Sequence, residues 1–276
     1  MNLQGKTVVV TGASSGLGEA AVRRLHAAGA NVVPVGRSAQ KTAAVAAGLG
    51  VDPLTADFSE LTEVRRLAKV LLDRCPRIDV LVSNAGCIMA KHTVTKDGFE
   101  ETFQVNALAP YLLTRLLTER LRDSGGRVVV TSSQTIEGRR QIDPENVNGK
   151  AKYEPYEAYA DSKLALALLT REYARRHPEV GVADFHPGVF VGGLARGLWR
   201  ERLLTNSPLR GTVERFVGTP DKGVDTLLHL AGTDTPLRGE YYKDGRRTDP
   251  GATAEDTATA AALWDICAHG TGLPLR

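Results

Sequence analysis

The sequence predicts an α/β fold, a doubly wound parallel sheet of about seven strands with helices on both faces. Three observations predict it. Short β-branched runs alternate with helical stretches along the 276-residue chain, the pattern of repeated βαβ units. The runs are nearly continuous in apolar residues, as strands buried on both faces must be. A glycine-rich segment, "TGASSGLG" from Thr11 to Gly18, lies between the first run and the first helix.

"KTVVVTG" predicts the first strand, followed by a helix to Ala28. "NVVPVG" is the second strand, although Pro34 lacks the N–H that an inner strand uses. A helix runs from Ser38 to about Ala47, and "VDPLTAD" is the third strand. Apolar residues at 61, 64, 67, 68, 71 and 72 mark a helical stripe between Glu60 and Arg74. "IDVLVSNAG" is the fourth strand, Asp97 to Arg122 a long helix and "GRVVVTSS" the fifth strand. Tyr156 to His177 is helical, "VGVADFHPG" is the sixth strand, residues 220–231 are helical and "GEYY" is a short last strand. A C-terminal helix spans about 254–269 and stops at glycine. With no repeat and no linker, residues 1–276 read as one domain. Two stretches resist assignment, about 134–155 and 189–218. Both follow strand C-terminal ends, where open α/β sheets bind ligands, so both are candidate substrate loops.

Composition narrows the classes. A net charge of +3 with no basic cluster argues against a nucleic-acid binder. Three scattered cysteines, Cys75, Cys87 and Cys267, and six scattered histidines suggest neither a disulfide scaffold nor a metal site. The N-terminus lacks the pattern of a signal peptide, and no apolar run approaches the length of a membrane span. The expectation is a cytoplasmic protein. Its Ala/Arg-rich composition is associated with GC-rich bacterial sources.

In "TGASSGLG" the glycines allow a sharp turn and close approach of a pyrophosphate to the helix N-terminus. A tight turn without a ligand is the competing reading. The second strand ends "VGRS" with no acid for a ribose 2′-hydroxyl. Arg37 can instead fork onto a 2′-phosphate, and Ser38 can add a hydrogen bond, so the expected cofactor is NADP(H). A solvated surface arginine is the alternative.

"YEPYEAYADSK", residues 153–163, holds three tyrosines and a lysine. Pro155 suits a first helical position, which leaves Tyr153 in the loop. Tyr159 lies one turn from Lys163, whereas Tyr156 is two turns away. A cation about 4 Å from a phenol is worth up to roughly 4 kcal/mol at a protein-like dielectric, which brings the phenol near 7. An ordinary i,i+4 surface pair has the same spacing.

Further segments share one pattern: "ADFSE" around Asp57, "SNAG" at 83–86, "DGFEETFQVNALAPYLLT" at 97–114, "RVVVTSS" at 127–133, "YADSK", and "HPG" at 186–188. With "TGASSGLG", in this order, the chain resembles the short-chain dehydrogenase/reductase family over nearly its whole length, closest to the retinol-dehydrogenase-like branch. The resemblance implies a Rossmann-type fold and NADP(H)-dependent interconversion of a carbonyl and an alcohol on a small-molecule substrate. It implies Tyr159 as acid/base and Lys163 as its partner, also bonding the nicotinamide ribose. Ser133 would hold the substrate oxygen and Asn106 would support a proton-relay water. The cofactor contacts implied are Gly12, Ser14, Ser15, Gly16, Leu17 and Gly18 in the loop; Arg37 and Ser38; Asp57, at the adenine, with Phe58. Asn84, Ala85 and Gly86 would lie along the cofactor, with Pro187, Gly188 and Val189 beyond them. A homodimer or homotetramer through the Asp97 and Tyr156 helices fits the same resemblance.

Pro110 lies four residues after Asn106 inside a helical pattern, so the Asn106 carbonyl loses its usual partner and the helix should bend. A water leading to Lys163 is the hypothesised replacement. Three residues depart from the family. Gly192 stands where a threonine usually meets the cofactor carboxamide, Gln134 follows Ser133 in a place often small or apolar, and Cys87 replaces an aliphatic residue. Cys87 has no evident histidine base and reads as a small buried residue. Gly192 and the long loop keep open a non-redox cyclase, dehydratase or isomerase on the same scaffold, with Tyr159 as a plain acid/base. A nucleotide-sensing protein without chemistry is the third reading, against which Ser133, Tyr159 and Lys163 argue. Arg196 and Arg200 would suit an anionic or oxygen-rich substrate, or lie solvated.

Overall fold

The computed structural model describes residues 2–138, 141–149, 153–188 and 221–275. The sheet is built from β1 (Thr7–Thr11), β2 (Asn31–Gly36), β3 (Leu54–Thr55), β4 (Val80–Ser83), β5 (Arg127–Thr131), β6 (Gly181–His186), β7 (Arg238–Lys243) and β8 (Arg246–Thr248). The helices are α1 (Gly16–Ala27), α2 (Ala39–Ala47), α3 (Leu61–Arg74), α4 (Glu101–Phe103), α5 (Ala109–Asp123), α6 (Pro155–Arg176), α7 (Asp221–Gly232) and α8 (Thr257–Thr271). The strand order is β3-β2-β1-β4-β5-β6-β7-β8. Pairing is parallel through β7, and β8 adds an antiparallel edge.

The order reverses at β1, which lies between β2 and β4. Successive residues of a strand face opposite sides of the sheet. Val9 thus enters the core under α3, α5, α6 and α8, while Val8 and Val10 enter the core under α1 and α7. Both layers are apolar, which is why the strands carry no polar alternation.

Several elements differ from expectation. The eighth strand comes from "RRT", a polar triplet without a strand signal; it forms because the turn at Asp244 and Gly245, both at positive φ, folds it back on β7. The third strand shrinks to two residues at the sheet edge. Pro34 is compatible with its strand for a local reason. Asn31 donates to the Lys6 carbonyl (2.8 Å) and the Val35 carbonyl accepts from Ala13 (2.9 Å), so odd-numbered residues turn toward β1. Pro34 turns toward β3, whose two residues pair with Val35 and Gly36. Its missing N–H therefore costs no bond in the β1 ladder.

The predicted Asp97–Arg122 helix begins later, at Glu101, whose first turn is capped by the Glu100 carboxylate accepting from Thr102 and Phe103. Asp97 instead accepts the N–H of Leu61 (2.9 Å) at the start of α3. Before Pro110 the helix opens into a π turn, Gln104–Leu108, in which the Ala109 N–H reaches the Gln104 carbonyl. This is the expected disturbance, taken up as one wide turn rather than a break. Within the first unassigned stretch the described residues contain two short 3₁₀ turns, Gln134–Ile136 and Pro144–Asn146. The second stretch, with Val189, Gly192, Arg196 and Arg200, lies outside the described residues.

α8 packs chiefly on α6. Trp264, fully buried, meets Tyr111 edge-on at 5.0 Å, and the Arg115 and Arg176 guanidinium groups lie 4.7 and 4.9 Å from its ring. Gly272, at φ 63°, ends the helix in the left-handed conformation that glycine adopts without cost.

Candidate active site

A cleft of about 450 Å³ opens along the C-terminal ends of β1, β2, β4, β5 and β6. Its floor at β1 is shaped by close backbone approach. Gly12 has φ 68°, and a Cβ there would lie 2.9 Å from Ala85 Cα. A Cβ on Gly18 would overlap the Gly12 carbonyl oxygen. These glycines bring the start of α1 against the β1–α1 turn and leave a cradle facing the cleft. Gly18→Ala is therefore expected to abolish any measurable binding of a nicotinamide dinucleotide in a fluorescence titration, because the obstructing atom is backbone and has no rotamer to yield.

Asn84 ties three strands together beside this turn. Its N–H donates to Thr11 Oγ1 (2.9 Å), its Nδ2 to the Thr11 carbonyl (2.9 Å), and its Oδ1 accepts from Thr131 Oγ1 (3.2 Å). The side chain thus clamps the sheet end as well as lining the cleft. Asp57 is held by Ser59, which donates to Oδ1 from both its N–H (3.0 Å) and its hydroxyl (2.8 Å).

Arg37 lines the cleft and, among the described residues, has no ion-pair partner. Ser38, one residue on, does not line it. Its hydroxyl accepts from the Lys41 N–H (3.4 Å) as the N-cap of α2. A serine just before a helix satisfies an otherwise unpaired N–H there, which competes with the cofactor contact expected of it.

At the other end, Tyr159 and Lys163 project from α6, and Ser133 follows β5. All three are buried and line the cleft. Lys163 Nζ donates to the Thr131 carbonyl (2.8 Å) and lies 5.9 Å from the centre of the Tyr159 ring. Burial pushes the Tyr159 phenol up to about 12, while a hydrogen bond with Ser133 works the other way. Burial also pushes Lys163 down to about 8, against the attraction of Cys87 and Asp184. The expectation of a phenol near 7 is thus corrected for this state. Desolvation dominates, and the Lys163 ammonium is bonded to the β5 carbonyl. A phenol this high is a neutral proton donor at pH 7.

Asn106 lies outside the cleft and is fully buried. Its Oδ1 accepts the Cys87 N–H (2.8 Å), and its Nδ2 donates to the Cys87 carbonyl (2.9 Å) and to Ser162 Oγ (2.9 Å). The side chain therefore pins the segment after β4 to α6. The relay water expected here is tied to the Asn106 backbone carbonyl, whereas the side-chain amide is engaged by protein partners. The Cys87 thiol is raised to about 12, chiefly by burial, which suits the inert reading.

Of the remaining expected contacts, Ser14, Ser15, Gly16, Leu17, Phe58, Gly86, Pro187 and Gly188 all border the cleft. Sequence reasoning missed Thr11, Thr131 and His186. Each stood inside a quoted motif, but their partners lie on other strands, so only the sheet register exposes their work. Tyr153, which the sequence places in the loop before α6, has a structural task. Its hydroxyl donates to the Met89 carbonyl (3.0 Å), bonds Thr102 Oγ1 (3.1 Å) and lies 3.3 Å from a Glu100 carboxylate oxygen, pinning one wall of the cleft. Among the described residues no cluster of side chains could hold a metal ion.

A sheet reversing at β1, with a glycine turn at the reversal and a cleft above it, defines a Rossmann-type fold. The chain belongs to the short-chain dehydrogenase/reductase family: the family model described as short chain dehydrogenase matches residues 6–202. It is 40% identical to "Putative daunorubicin C-13 ketoreductase DnrU" of Streptomyces sp. strain C5, over 98% of this chain and 94% of that protein. It is 34% identical to human retinol dehydrogenase 12, over 99% of this chain and 88% of that protein. Among solved structures, the Pseudomonas aeruginosa RhlG/NADP active-site complex superposes with a TM-score of 0.70 at 27% identity, covering 88% of this chain and 96% of that one.

Proposed function

We propose that this protein is an NADP(H)-dependent oxidoreductase that interconverts a carbonyl and an alcohol, with Tyr159 as the acid/base. The observation that carries the reading is the gathering of the buried Tyr159, Ser133 and Lys163 side chains on one wall of the glycine-floored cleft. The cradle at Gly12 and Gly18 fits a pyrophosphate, and Arg37, which lines the cleft and has no ion-pair partner among the described residues, fits a 2′-phosphate. NADPH, when bound, supplies a hydride. The NADP complexes of the P. aeruginosa relative and of a Burkholderia cenocepacia short chain dehydrogenase (26% identical, TM-score 0.68) support that choice of cofactor.

The residues of the chain do the rest. Ser133 and Tyr159 donate hydrogen bonds to the carbonyl oxygen and polarise it. Tyr159 then gives its proton to that oxygen. The phenolate left behind is stabilised by the Lys163 ammonium, and Asn84, Asn106 and Thr131 keep these groups in register. In the opposite direction Tyr159 must first lose its proton, which its burial disfavours.

The cleft mouth carries Ile88, Met89 and Tyr156, the last 62% exposed. An exposed phenol ring and a thioether lining the same cleft offer apolar surface to a flat molecule. With relatives named for a daunorubicin ketone and for retinol, we assign bulky, largely apolar ketones or aldehydes as the substrate class. The test is reduction of a panel of polycyclic, polyene and small polar carbonyls. One NADPH should be consumed per alcohol formed, with the bulky members preferred. Product formed without NADPH consumption would move the protein to the cyclase, dehydratase or isomerase class.

Among the described residues no helix is long and apolar enough to cross a membrane. Self-association through α5 and α6 must use the surface that α8 leaves free.

A further inference from the structure

His186 ends β6 and is 8% exposed. Alternation along the strand puts it on the same sheet face as Asp184, which pairs with Arg171 of α6 at 3.1 Å. The imidazole therefore faces the side of the sheet that carries Tyr159 and Lys163, and it lines the cleft. Its Nδ1 accepts the backbone N–H of Gln134 at 3.2 Å. Only an unprotonated Nδ1 can accept, so the ring is neutral and carries its hydrogen on Nε2.

Gln134 directly follows Ser133. Ser133 caps the same short turn, its Oγ accepting the Thr135 N–H at 3.2 Å. The N–H groups of two successive residues are thereby engaged, one by the serine hydroxyl and one by His186. The peptide between Ser133 and Gln134 cannot rotate without breaking the imidazole contact. With one lone pair of Ser133 Oγ committed to Thr135, the hydroxyl proton is left to serve the cleft.

We propose that His186 is a positioning residue, whose neutral imidazole acts through the Gln134 N–H to hold the Ser133 hydroxyl in place for carbonyl polarisation. The inference rests on the oxidoreductase reading above for its catalytic meaning. Its structural content stands on the hydrogen bond alone.

The surroundings keep the ring neutral. Burial comes first and Lys243, its register partner on β7, second; both hold His186 below the ordinary imidazole range. Glu137 on the following turn and Asp244 after β7 work the other way. Glu137 is itself bonded to Lys243 (2.8 Å) and to the Tyr241 hydroxyl (2.9 Å), which spends much of its charge elsewhere. As pH falls through the lowered His186 value, a proton on Nδ1 faces the Gln134 N–H, the bond is lost and Ser133 is released. The wild-type reduction rate should therefore show an acid limb.

Two substitutions and one spectroscopic measurement test this. Asparagine places Oδ1 where the imidazole has Nδ1, whereas phenylalanine keeps the ring shape without an acceptor. His186→Phe should lower kcat about tenfold or more, with NADPH affinity unchanged, because a displaced Ser133 polarises the carbonyl poorly. His186→Asn should restore most of that loss and abolish the acid limb. Wild-type activity in His186→Phe, no rescue by His186→Asn, or an acid limb persisting in His186→Asn would overturn the proposal. Independently of turnover and of how either variant folds, ¹⁵N spectra of the wild-type ring at about pH 7.5 should show the Nε2–H tautomer. The Gln134 amide signal should then shift in step with the His186 titration. An Nδ1–H tautomer, or a Gln134 amide indifferent to that titration, would refute the contact even if no carbonyl substrate were found.

Discussion

Tyr159→Phe is expected to lower kcat for carbonyl reduction by about 10²- to 10⁴-fold, the range that general acid catalysis contributes. NADPH affinity should stay near that of the wild type, since the ring is retained and only the hydroxyl is removed. Steady-state kinetics beside a fluorescence titration of NADPH would separate the two effects. The variant tests a specific division of labour. A phenol held at about 12 is a donor throughout the neutral range. Its conjugate base needs the Lys163 ammonium, and burial holds that ammonium at about 8. The sign follows directly. As pH rises through 8, Lys163 loses its charge while Tyr159 keeps its proton. The wild-type reduction rate should fall on the alkaline side with a midpoint set by Lys163 rather than by the phenol. A rate that holds constant to pH 10 would show that the charge of Lys163 is dispensable. Turnover retained in Tyr159→Phe would remove the tyrosine from the chemistry altogether.

The second large effect is on cofactor choice. Arg37→Ala should weaken NADPH binding by about 10- to 100-fold, the worth of charge-assisted hydrogen bonds of roughly 1.5–3 kcal/mol. NADH, which lacks the 2′-phosphate, should bind about as before. The ratio of kcat/KM for the two cofactors isolates this interaction, because changes in the pyrophosphate cradle move both. Ser38→Ala should alter that ratio little and instead cost the N-cap of α2, since the Ser38 hydroxyl is turned to Lys41. An unchanged NADPH to NADH ratio in Arg37→Ala would return Arg37 to the class of solvated surface residues.

Much of the site is legible in order along the chain because its parts are local. The glycine turn sits between a strand and a helix adjacent in sequence, and Tyr159 and Lys163 are one helical turn apart. Such spacings follow from backbone geometry alone. The strand alternation is equally local, so the layers and the position of the cleft could be read from it. Even Pro110 announces a disturbed helix, although only the folded chain shows that a π turn absorbs it. The eighth strand left no trace in composition, because an edge strand of "RRT" buries too little to need apolar residues.

What the sequence determined by itself was the fold, the place of the cofactor cleft and the residues gathered around Tyr159. Tertiary structure decided what those residues are free to do. The Asn106 amide looks available in sequence but is engaged by Cys87 and Ser162, and the Ser38 hydroxyl is turned to the Lys41 N–H as a helix cap. The Tyr159 phenol lies at about 12 rather than near 7 because burial removes the water that would stabilise its charge. His186 enters the site through a bond across 52 residues of chain. Hydrogen-bond partners on other strands and the loss of water are properties of the packed molecule, and no spacing along one strand or helix encodes them.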